Sequence, residues 1–210
     1  MSGHLLGLAV ALAYTGAALG VAMVVPQIVR ILRRPALGGV SPLSWSLSAL
    51  ACLSWLTYGA RTHTIPQVPG NVLLVCGAVA IVLLVPSAVG RRQRALRLGL
   101  AAALIVSAAF AMPARSVGYL AFGIGLVSAW PQVCESVIGW RAGGQSGVSI
   151  TTWGIKVCSQ CCWLAYALAT GDVPVLFSAT AALATAVTLV ALESSRRLVP
   201  ARRSAILEPA

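Results

Sequence analysis

The stretch from Tyr14 to Arg30, YTGAALGVAMVVPQIVR, decides the fold, because a second version of it is present in the chain. The second version, YLAFGIGLVSAWPQVCE, runs from Tyr119 to Glu135 and lies 105 residues further on. Both versions contain a Pro-Gln dipeptide near their end. A unit repeated at this spacing indicates that the chain consists of two equivalent structural halves.

The segment that follows each version is repeated as well. GVSPLSWSLSALACLSWLTYGA, which begins at Gly39, matches GVSITTWGIKVCSQCCWLAYAL, which begins at Gly147, at an offset of 108 residues. The residue pairs in register are Tyr14 and Tyr119, Gly20 and Gly125, Pro26-Gln27 and Pro131-Gln132, Trp45 and Trp153, Trp55 and Trp163, Tyr58 and Tyr166, and Pro66 and Pro174. In a very apolar chain, such a duplication is typical of a transporter whose halves rock about a shared central site.

The composition predicts an all-α, polytopic membrane protein. Hydrophobic residues make up 59% of the 210 residues and charged residues only 9%, whereas soluble domains carry roughly a quarter charged residues. Apolar runs of about 17–25 residues are long enough to cross a bilayer as helices. The seven predicted transmembrane helices lie at 5–29, 42–60, 66–89, 97–112, 117–138, 148–169 and 173–193.

The basic residues are distributed unequally between the two predicted sides of the membrane. Twelve arginines fall on the side that holds the C-terminus, and only Arg61 and Arg115 fall on the other. The positive-inside rule therefore places the N-terminus outside and the C-terminus in the cytoplasm. The net charge of +11 then serves orientation and contact with membrane lipids, and no nucleic-acid partner is predicted. The amino-acid composition is rich in Arg and Ala and poor in Lys, which favours a bacterial protein. We therefore expect it in the plasma membrane of a bacterium, that is, its inner membrane.

The predicted order is three transmembrane helices, one linker helix and three more. The first triple-helix repeat covers 1–90, the linker transmembrane helix 91–116, the second triple-helix repeat 117–195, and a basic cytoplasmic tail 196–210. Because three is odd, the linker restores the orientation of the second repeat, so the two repeats are parallel. Two repeats can complete a pathway within one chain, and a homo-oligomer is left open.

Two sequence features bear on moving parts and on metal chemistry. Pro26-Gln27 and Pro131-Gln132 lie near the predicted cytoplasmic ends of equivalent helices, where a proline removes a backbone hydrogen bond and bends the helix. Their equivalence favours a paired hinge, and two merely tolerated kinks are the alternative. The six cysteines all lie inside predicted transmembrane helices, so we expect small buried apolar residues rather than disulfides, a metal site or a redox centre.

These motifs resemble the PQ-loop superfamily. Two Pro-Gln dipeptides close the first helix of each repeat, and the GVS sequence opens each second helix. The order of three, one and three helices is similar to the two-repeat branch of that superfamily, the SWEET sugar facilitators, which are related to the bacterial SemiSWEETs. The resemblance covers residues 8–192. It implies alternating access to a central substrate pocket, without a cofactor.

The resemblance also implies which residues line the pocket. The family places a Trp on the second helix and an Asn on the third, and these positions fall on Trp55 and Asn71. In the second repeat the Trp is Trp163, but Ala179 stands where the Asn is expected. An aromatic face and an amide suit the C–H face and the hydroxyls of a sugar. Placement of both tryptophans at the outer membrane interface is the alternative.

A set of four prolines forms the inner gate that the resemblance implies. Pro26, Pro42 and Pro131 match three of the four positions, together with the adjoining Gln27 and Gln132, whereas Ile150 occupies the fourth position.

Lys156 has no counterpart in the first repeat, where Ser48 occupies the equivalent position. An unpaired cation inside the membrane needs a partner or water. In one hypothesis Lys156 extends toward the cytoplasm and pairs with Glu135. In the other, Lys156 lies with Gln160 and Trp163 on a helix face that lines the pocket, and the solute is acidic.

The sequence therefore predicts a facilitator that moves a small polar solute, with a sugar preferred. The alternatives are a transporter of an acidic or amino-acid solute that uses Lys156, or a receptor or adaptor with the same fold. No enzyme is predicted, because no nucleophile and base are visible, and no phosphate-binding loop for ATP is present. Facilitated diffusion is favoured over proton coupling, because the acidic residues all lie near helix ends or in the tail: Glu135, Asp172, Glu193 and Glu208.

Overall fold

The computed structural model describes residues 3–33, 40–141 and 148–207 of the chain. Parts of two predicted loops, including Arg34, Gly39 and Gly147, and the acidic residue Glu208 lie outside the described residues. Within the described ranges the protein is all-helical, as predicted. The helices are α1 Gly3–Ala22, α2 Val24–Arg33, α3 Pro42–Arg61, α4 Gln67–Leu84, α5 Arg91–Ala111, α6 Ala114–Arg141, α7 Ile150–Thr170 and α8 Val173–Leu207.

The seven predicted membrane crossings correspond to α1 with α2, and then to α3 through α8. Five of these crossings are long and apolar enough to span a bilayer: Gly7–Arg33, Gln67–Leu84, Arg91–Ala111, Ala114–Arg141 and Val173–Arg196. The other two, α3 and α7, are the second helices of the repeats and carry more polar residues. Their lower hydropathy follows from their place inside the bundle, where each contacts helices of both repeats.

Large apolar side chains cover the outside of the bundle. Leu100 is 68% exposed and Leu104 is 73% exposed on α5, and Trp130 is 69% exposed on α6. A soluble protein rarely exposes contiguous apolar surface of this kind. The distribution fits a multi-pass membrane protein whose outer surface faces lipid.

Pro26 interrupts the first membrane crossing. Pro26 has no N–H to donate to the carbonyl of Ala22, and α1 ends at Ala22 while α2 begins at Val24. The equivalent Pro131 lies inside α6, which is continuous from Ala114 to Arg141. The helix is therefore interrupted at the predicted bend in one repeat only.

Serine residues begin the second helix of each repeat in the same way. The Ser41 side chain accepts a hydrogen bond from the backbone N–H of Ser44, and Ser149 accepts one from Thr152, both at 3.2 Å. Each serine has an extended backbone, as N-cap residues do. Pro42 follows as the first residue of α3, where the missing N–H costs nothing. The repeated Val-Ser sequence thus sets both helix starts.

The third helix of each repeat packs beside both other helices of that repeat. In the first repeat α4 contacts α1, α2 and α3, and in the second repeat α8 contacts α6 and α7. Between the repeats, α1 packs against α7 and α3 packs against α6. These two interfaces exchange under the internal symmetry, as expected for parallel repeats related by an axis along the membrane normal.

The linker helix α5 is joined to the first repeat by arginines at both of its ends. Arg94 of α5 donates from Nη1 to the carbonyls of Val82 and Val85, the latter at 2.9 Å. Arg61 at the end of α3 donates from Nη1 to the carbonyls of Ala109 and Met112, at 2.6 and 2.5 Å. These carbonyls belong to the last turns of α4 and α5, where no intrahelical N–H can reach them.

Two helices extend beyond the predicted membrane crossings. The linker helix begins at Arg91 rather than at residue 97, because its first turns need not lie in the apolar region and Arg94 is bound to α4. The last helix does not end near residue 193 but continues to Leu207. Residues 196–207 of the segment predicted as a basic tail, 196–210, are therefore helical and extend α8.

Candidate functional site

A cavity of about 170 Å³ lies between the two repeats. Its walls come from α1, α3 and α4 of the first repeat and from α6, α7 and α8 of the second. Many of its residues occupy equivalent positions in the two repeats: Trp55 and Trp163, Gly20 and Gly125, Gly70 and Ser178, Gln67 and Val175, Leu74 and Ala182. The cavity therefore lies on the internal symmetry axis of the molecule.

All five residues predicted to bind solute line this one cavity: Trp55, Asn71, Lys156, Gln160 and Trp163. They come from three helices, α3, α4 and α7, that are separated in the sequence. That they share a cavity is a finding of the structure. Their contact with a solute stays a prediction.

Each cavity tryptophan is oriented by a tyrosine one turn further along its helix. The ring of Trp55 meets that of Tyr58 edge to face, with centroids 5.5 Å apart and an interplanar angle of 85°. Trp163 and Tyr166 repeat this geometry at 5.7 Å and 87°. Edge-to-face packing is favourable because the positive ring edge meets the negative ring face. The two indoles are thereby held in equivalent orientations on opposite repeats.

Gly16 makes room for Trp163. A β-carbon at position 16 would lie 3.1 Å from the indole ring of Trp163 and 3.2 Å from Cβ of Cys162. The carbonyl of Gly16 also accepts a hydrogen bond at 2.7 Å from the hydroxyl of Ser159 on α7. Gly16 therefore allows α1 to lie close against α7, the helix of the other repeat that carries Lys156.

Asn71 presents an amide to the cavity from α4. Its Nδ2 donates one hydrogen bond, at 2.7 Å, to the carbonyl of Gln67 one turn earlier. A side-chain amide has a second N–H and a carbonyl oxygen that accepts. Asn71 can thus be fixed by the helix and still offer a donor and an acceptor to a bound molecule. The equivalent position on α8 is Ala179, which supplies neither.

Among the described residues that line the cavity, Lys156 is the one that carries a charge. Its ammonium lies 4.9 Å from the centre of the Trp153 ring, within range of a cation–π interaction. The predicted alternative, an ion pair with Glu135, is not found: Glu135 is exposed, and the salt bridge seen in the described part of the chain joins Arg196 and Glu193.

The Pro-Gln dipeptides connect the two repeats at one end of the bundle. The Gln27 side-chain oxygen accepts a hydrogen bond at 3.1 Å from the backbone N–H of Ser149, which caps α7. The Gln132 side-chain oxygen accepts one at 3.2 Å from the N–H of Ser41, which caps α3. Both glutamines are buried. We call this the arginine-rich end, because Arg30, Arg33, Arg91 and Arg141 lie there.

A second set of contacts connects the repeats at the opposite end. The Tyr58 hydroxyl lies 3.1 Å from both carboxylate oxygens of Asp172, in the connection between α7 and α8. In the symmetric position, the Tyr166 hydroxyl interacts with the side chain of Thr64. Burial raises the pKa of Asp172 above its ordinary value, against the opposing effects of the Val175 N–H and the Tyr58 hydroxyl. The contact of Tyr58 therefore includes an acidic side chain, whereas the equivalent contact of Tyr166 includes a neutral hydroxyl.

Sequence reasoning missed these contacts at the two ends. Tyr58 and Tyr166 were in register, but no role was assigned to them, and Asp172 was treated only as an acid near a helix end. The signal that was present is that each tyrosine recurs three residues after a cavity tryptophan. Ser128 and Ser159, which also line the cavity, had no signal in the repeat alignment.

Comparison with known proteins agrees with this architecture. The structure is similar to that of a eukaryotic SWEET transporter solved at 3.7 Å, with a TM-score of 0.72 and 16% sequence identity, over 93% of this chain and 99% of that one. The predicted SWEET-like, PQ-loop fold is thus confirmed. No protein-family model matches the sequence, and a search among curated proteins gave no match.

Proposed function

We propose that this protein is a facilitator that moves a small polar solute, preferably a sugar, across a membrane by alternating access. One observation carries this proposal: the cavity lies between two symmetric halves that separate hydrogen bonds connect at either end. A site closed by such contacts can open to one side when one set breaks and to the other side when the other set breaks.

The contacts at each end are weak enough to exchange. A typical intramolecular hydrogen bond contributes about 0.5–1.5 kcal/mol net, so the two glutamine contacts together hold the arginine-rich end by about 1–3 kcal/mol. Differences of a few kcal/mol leave a minor state measurably populated. The break at Pro26 gives the first repeat a place to bend, whereas α6 of the second repeat is continuous through Pro131.

A sugar fits the chemistry of the lining. Trp55 and Trp163 offer aromatic faces from opposite repeats, and Asn71 offers both a hydrogen-bond donor and an acceptor. No carboxylate is found among the described lining residues, which is why facilitated diffusion is preferred to proton coupling. The arginine-rich end faces the cytoplasm in this proposal, following the positive-inside rule.

The test is solute exchange by the purified protein in liposomes. Labelled sugars, sugar acids and amino acids are offered to vesicles preloaded with the same unlabelled compound. We expect exchange of at least one compound above that of empty vesicles, and its loss in Trp55→Ala and Trp163→Ala. The matched control is Trp130→Ala, which removes the same side chain from the outer face of α6. Absence of exchange for every compound would overturn the proposal and favour a receptor or adaptor.

A further inference from the structure

The cavity lining carries a cation without an anion. Lys156 is its charged member, and the acidic residues that the structure describes all lie elsewhere. Asp172 contacts Tyr58 at the end opposite to the arginine-rich end. Glu193 is buried with Arg196, 3.7 Å away, and Glu135 is exposed.

The uncharged neighbours of Lys156 do not neutralise it. Trp153 provides a ring face at 4.9 Å, and the cavity residues around the lysine, such as Cys52, Ser159 and Gln160, are neutral polar or thiol groups. A cation inside the membrane is retained at a cost unless water or a counter-charge accompanies it. A cavity that admits solute can supply that counter-charge from the solute.

We propose that the solute is a small polyhydroxylated carboxylate, that is, a sugar acid, whose carboxylate binds beside Lys156. This inference rests on the proposed transport function. A single lysine balances one carboxylate charge, whereas a phosphate ester would carry about two negative charges at neutral pH. An ammonium with three donors also gives the charge-assisted hydrogen bonds that a carboxylate favours.

The departures from symmetry support a solute with two unlike ends. Several equivalent cavity positions differ in polarity between the two repeats, among them Ser48 and Lys156, Cys52 and Gln160, and Asn71 and Ala179. The cation and the Gln160 amide thus lie on α7 of the second repeat, whereas the Asn71 amide lies on α4 of the first. A solute with a carboxylate at one end and hydroxyls at the other matches this unequal distribution of polar groups.

The position of the anion within the cavity follows from the helix. Lys156 precedes Trp163 by two turns, which is about 10 Å along the axis at 1.5 Å per residue. Its ammonium lies over Trp153, which is further still toward the arginine-rich end. The carboxylate is therefore expected near the arginine-rich end of the cavity.

The experiment compares one sugar with its acid. Exchange of labelled glucuronate and glucose is measured in proteoliposomes with the membrane potential clamped at zero, so that charge does not drive flux. Wild-type protein should prefer glucuronate by about tenfold in kcat/KM. Lys156→Ser should remove the preference, because it installs the residue found at the equivalent position 48.

Moving the lysine to the equivalent position of the other repeat makes the test specific. Since Ser48 also lines the cavity, the double variant Ser48→Lys with Lys156→Ser returns one cation to the cavity from the other repeat. We expect it to recover part of the preference for glucuronate. The Trp130→Ala control should leave the wild-type ratio unchanged.

Each outcome separates this inference from the proposed function. Exchange of glucose without preference for glucuronate, or an unchanged ratio in Lys156→Ser, would overturn the inference and leave the transporter standing. Exchange of neither compound nor of any other solute would overturn both. Should Lys156→Ser fail to fold, thermal unfolding of the wild-type protein decides: glucuronate must raise the melting temperature more than glucose at matched ionic strength, and equal shifts refute the inference.

Discussion

Gln27 of the first repeat accepts a hydrogen bond at 3.1 Å from the backbone N–H of Ser149, the N-cap residue of α7 in the second repeat. Gln132 repeats this relationship with Ser41 in the reverse direction, at 3.2 Å. In each case a buried side-chain oxygen satisfies an N–H at a helix start. The glutamine of each Pro-Gln dipeptide is thus a connection between repeats, placed next to a proline that weakens its own helix.

The two glutamine contacts should stabilise the protein to a similar extent. Gln27→Leu or Gln132→Leu leaves a buried serine N–H without this acceptor, and we expect a loss of about 1–3 kcal/mol in unfolding free energy for each variant. Thermal unfolding in detergent, followed by tryptophan fluorescence, measures the effect. Gln93→Leu, at an exposed position on α5, is the control. Unfolding of Gln27→Leu at the temperature of this control would show that the contact contributes nothing.

Asp172 should make stability depend on pH. Burial raises its pKa in the folded protein, so the folded state holds the proton more tightly than the unfolded chain does. The resulting stabilisation is complete below the ordinary aspartate pKa of about 3.9 and is lost as the pH rises through the raised pKa. Asp172→Asn should remove this decline. Melting temperatures of both proteins across that window measure it, and parallel curves would contradict the assignment.

Pro26 should control the rate of exchange more than Pro131 does. Pro26→Ala restores an N–H that can bond to Ala22 and join α1 to α2, whereas α6 is already continuous around Pro131. One added backbone hydrogen bond of about 1 kcal/mol that must break during opening would slow exchange roughly fivefold. Exchange rates in proteoliposomes test this, with Pro86→Ala, at an exposed position between α4 and α5, as control. Equal effects at Pro26 and Pro131 would argue against a hinge in the first repeat.

Asn71 should contribute to affinity. Asn71→Ala removes the donor and acceptor of α4, and the loss of one net hydrogen bond predicts a KM about three- to tenfold higher with kcat little changed. Cys76→Ala, at an exposed position on the same helix, is the matched control. A KM in Asn71→Ala equal to that of the control would remove Asn71 from the binding site.

The sequence predicted the repeated architecture from register. It predicted the cavity residues from the family resemblance and from the helix face that Lys156 shares with Gln160 and Trp163. Equivalent residues in two copies of one unit meet across the symmetry axis, so Trp55 and Trp163 could be placed together without coordinates. The Lys156 alternatives could not be separated in this way. Helical rise gives the depth of Glu135 and Lys156 but not the direction in which each side chain points, and Glu135 points outward.

The repeat pattern could not predict contacts between helices that are not equivalent in the two repeats. The bond from Gln27 to Ser149 joins residues 122 positions apart, and neither residue type reveals its partner. The same holds for Tyr58 and Asp172. The difference between Pro26 and Pro131 also escaped prediction, because two identical dipeptides are accommodated differently by their surroundings.

The arginines at both ends of α5 have a mechanical consequence. Arg94 attaches the linker to α4, and Arg61 attaches α3 to the linker. We therefore expect the linker to move together with the first repeat. The chain continues from α5 to α6 through the short connection of Met112 and Pro113. The two parts expected to move relative to each other are therefore unequal, with four membrane crossings before this connection and three after it.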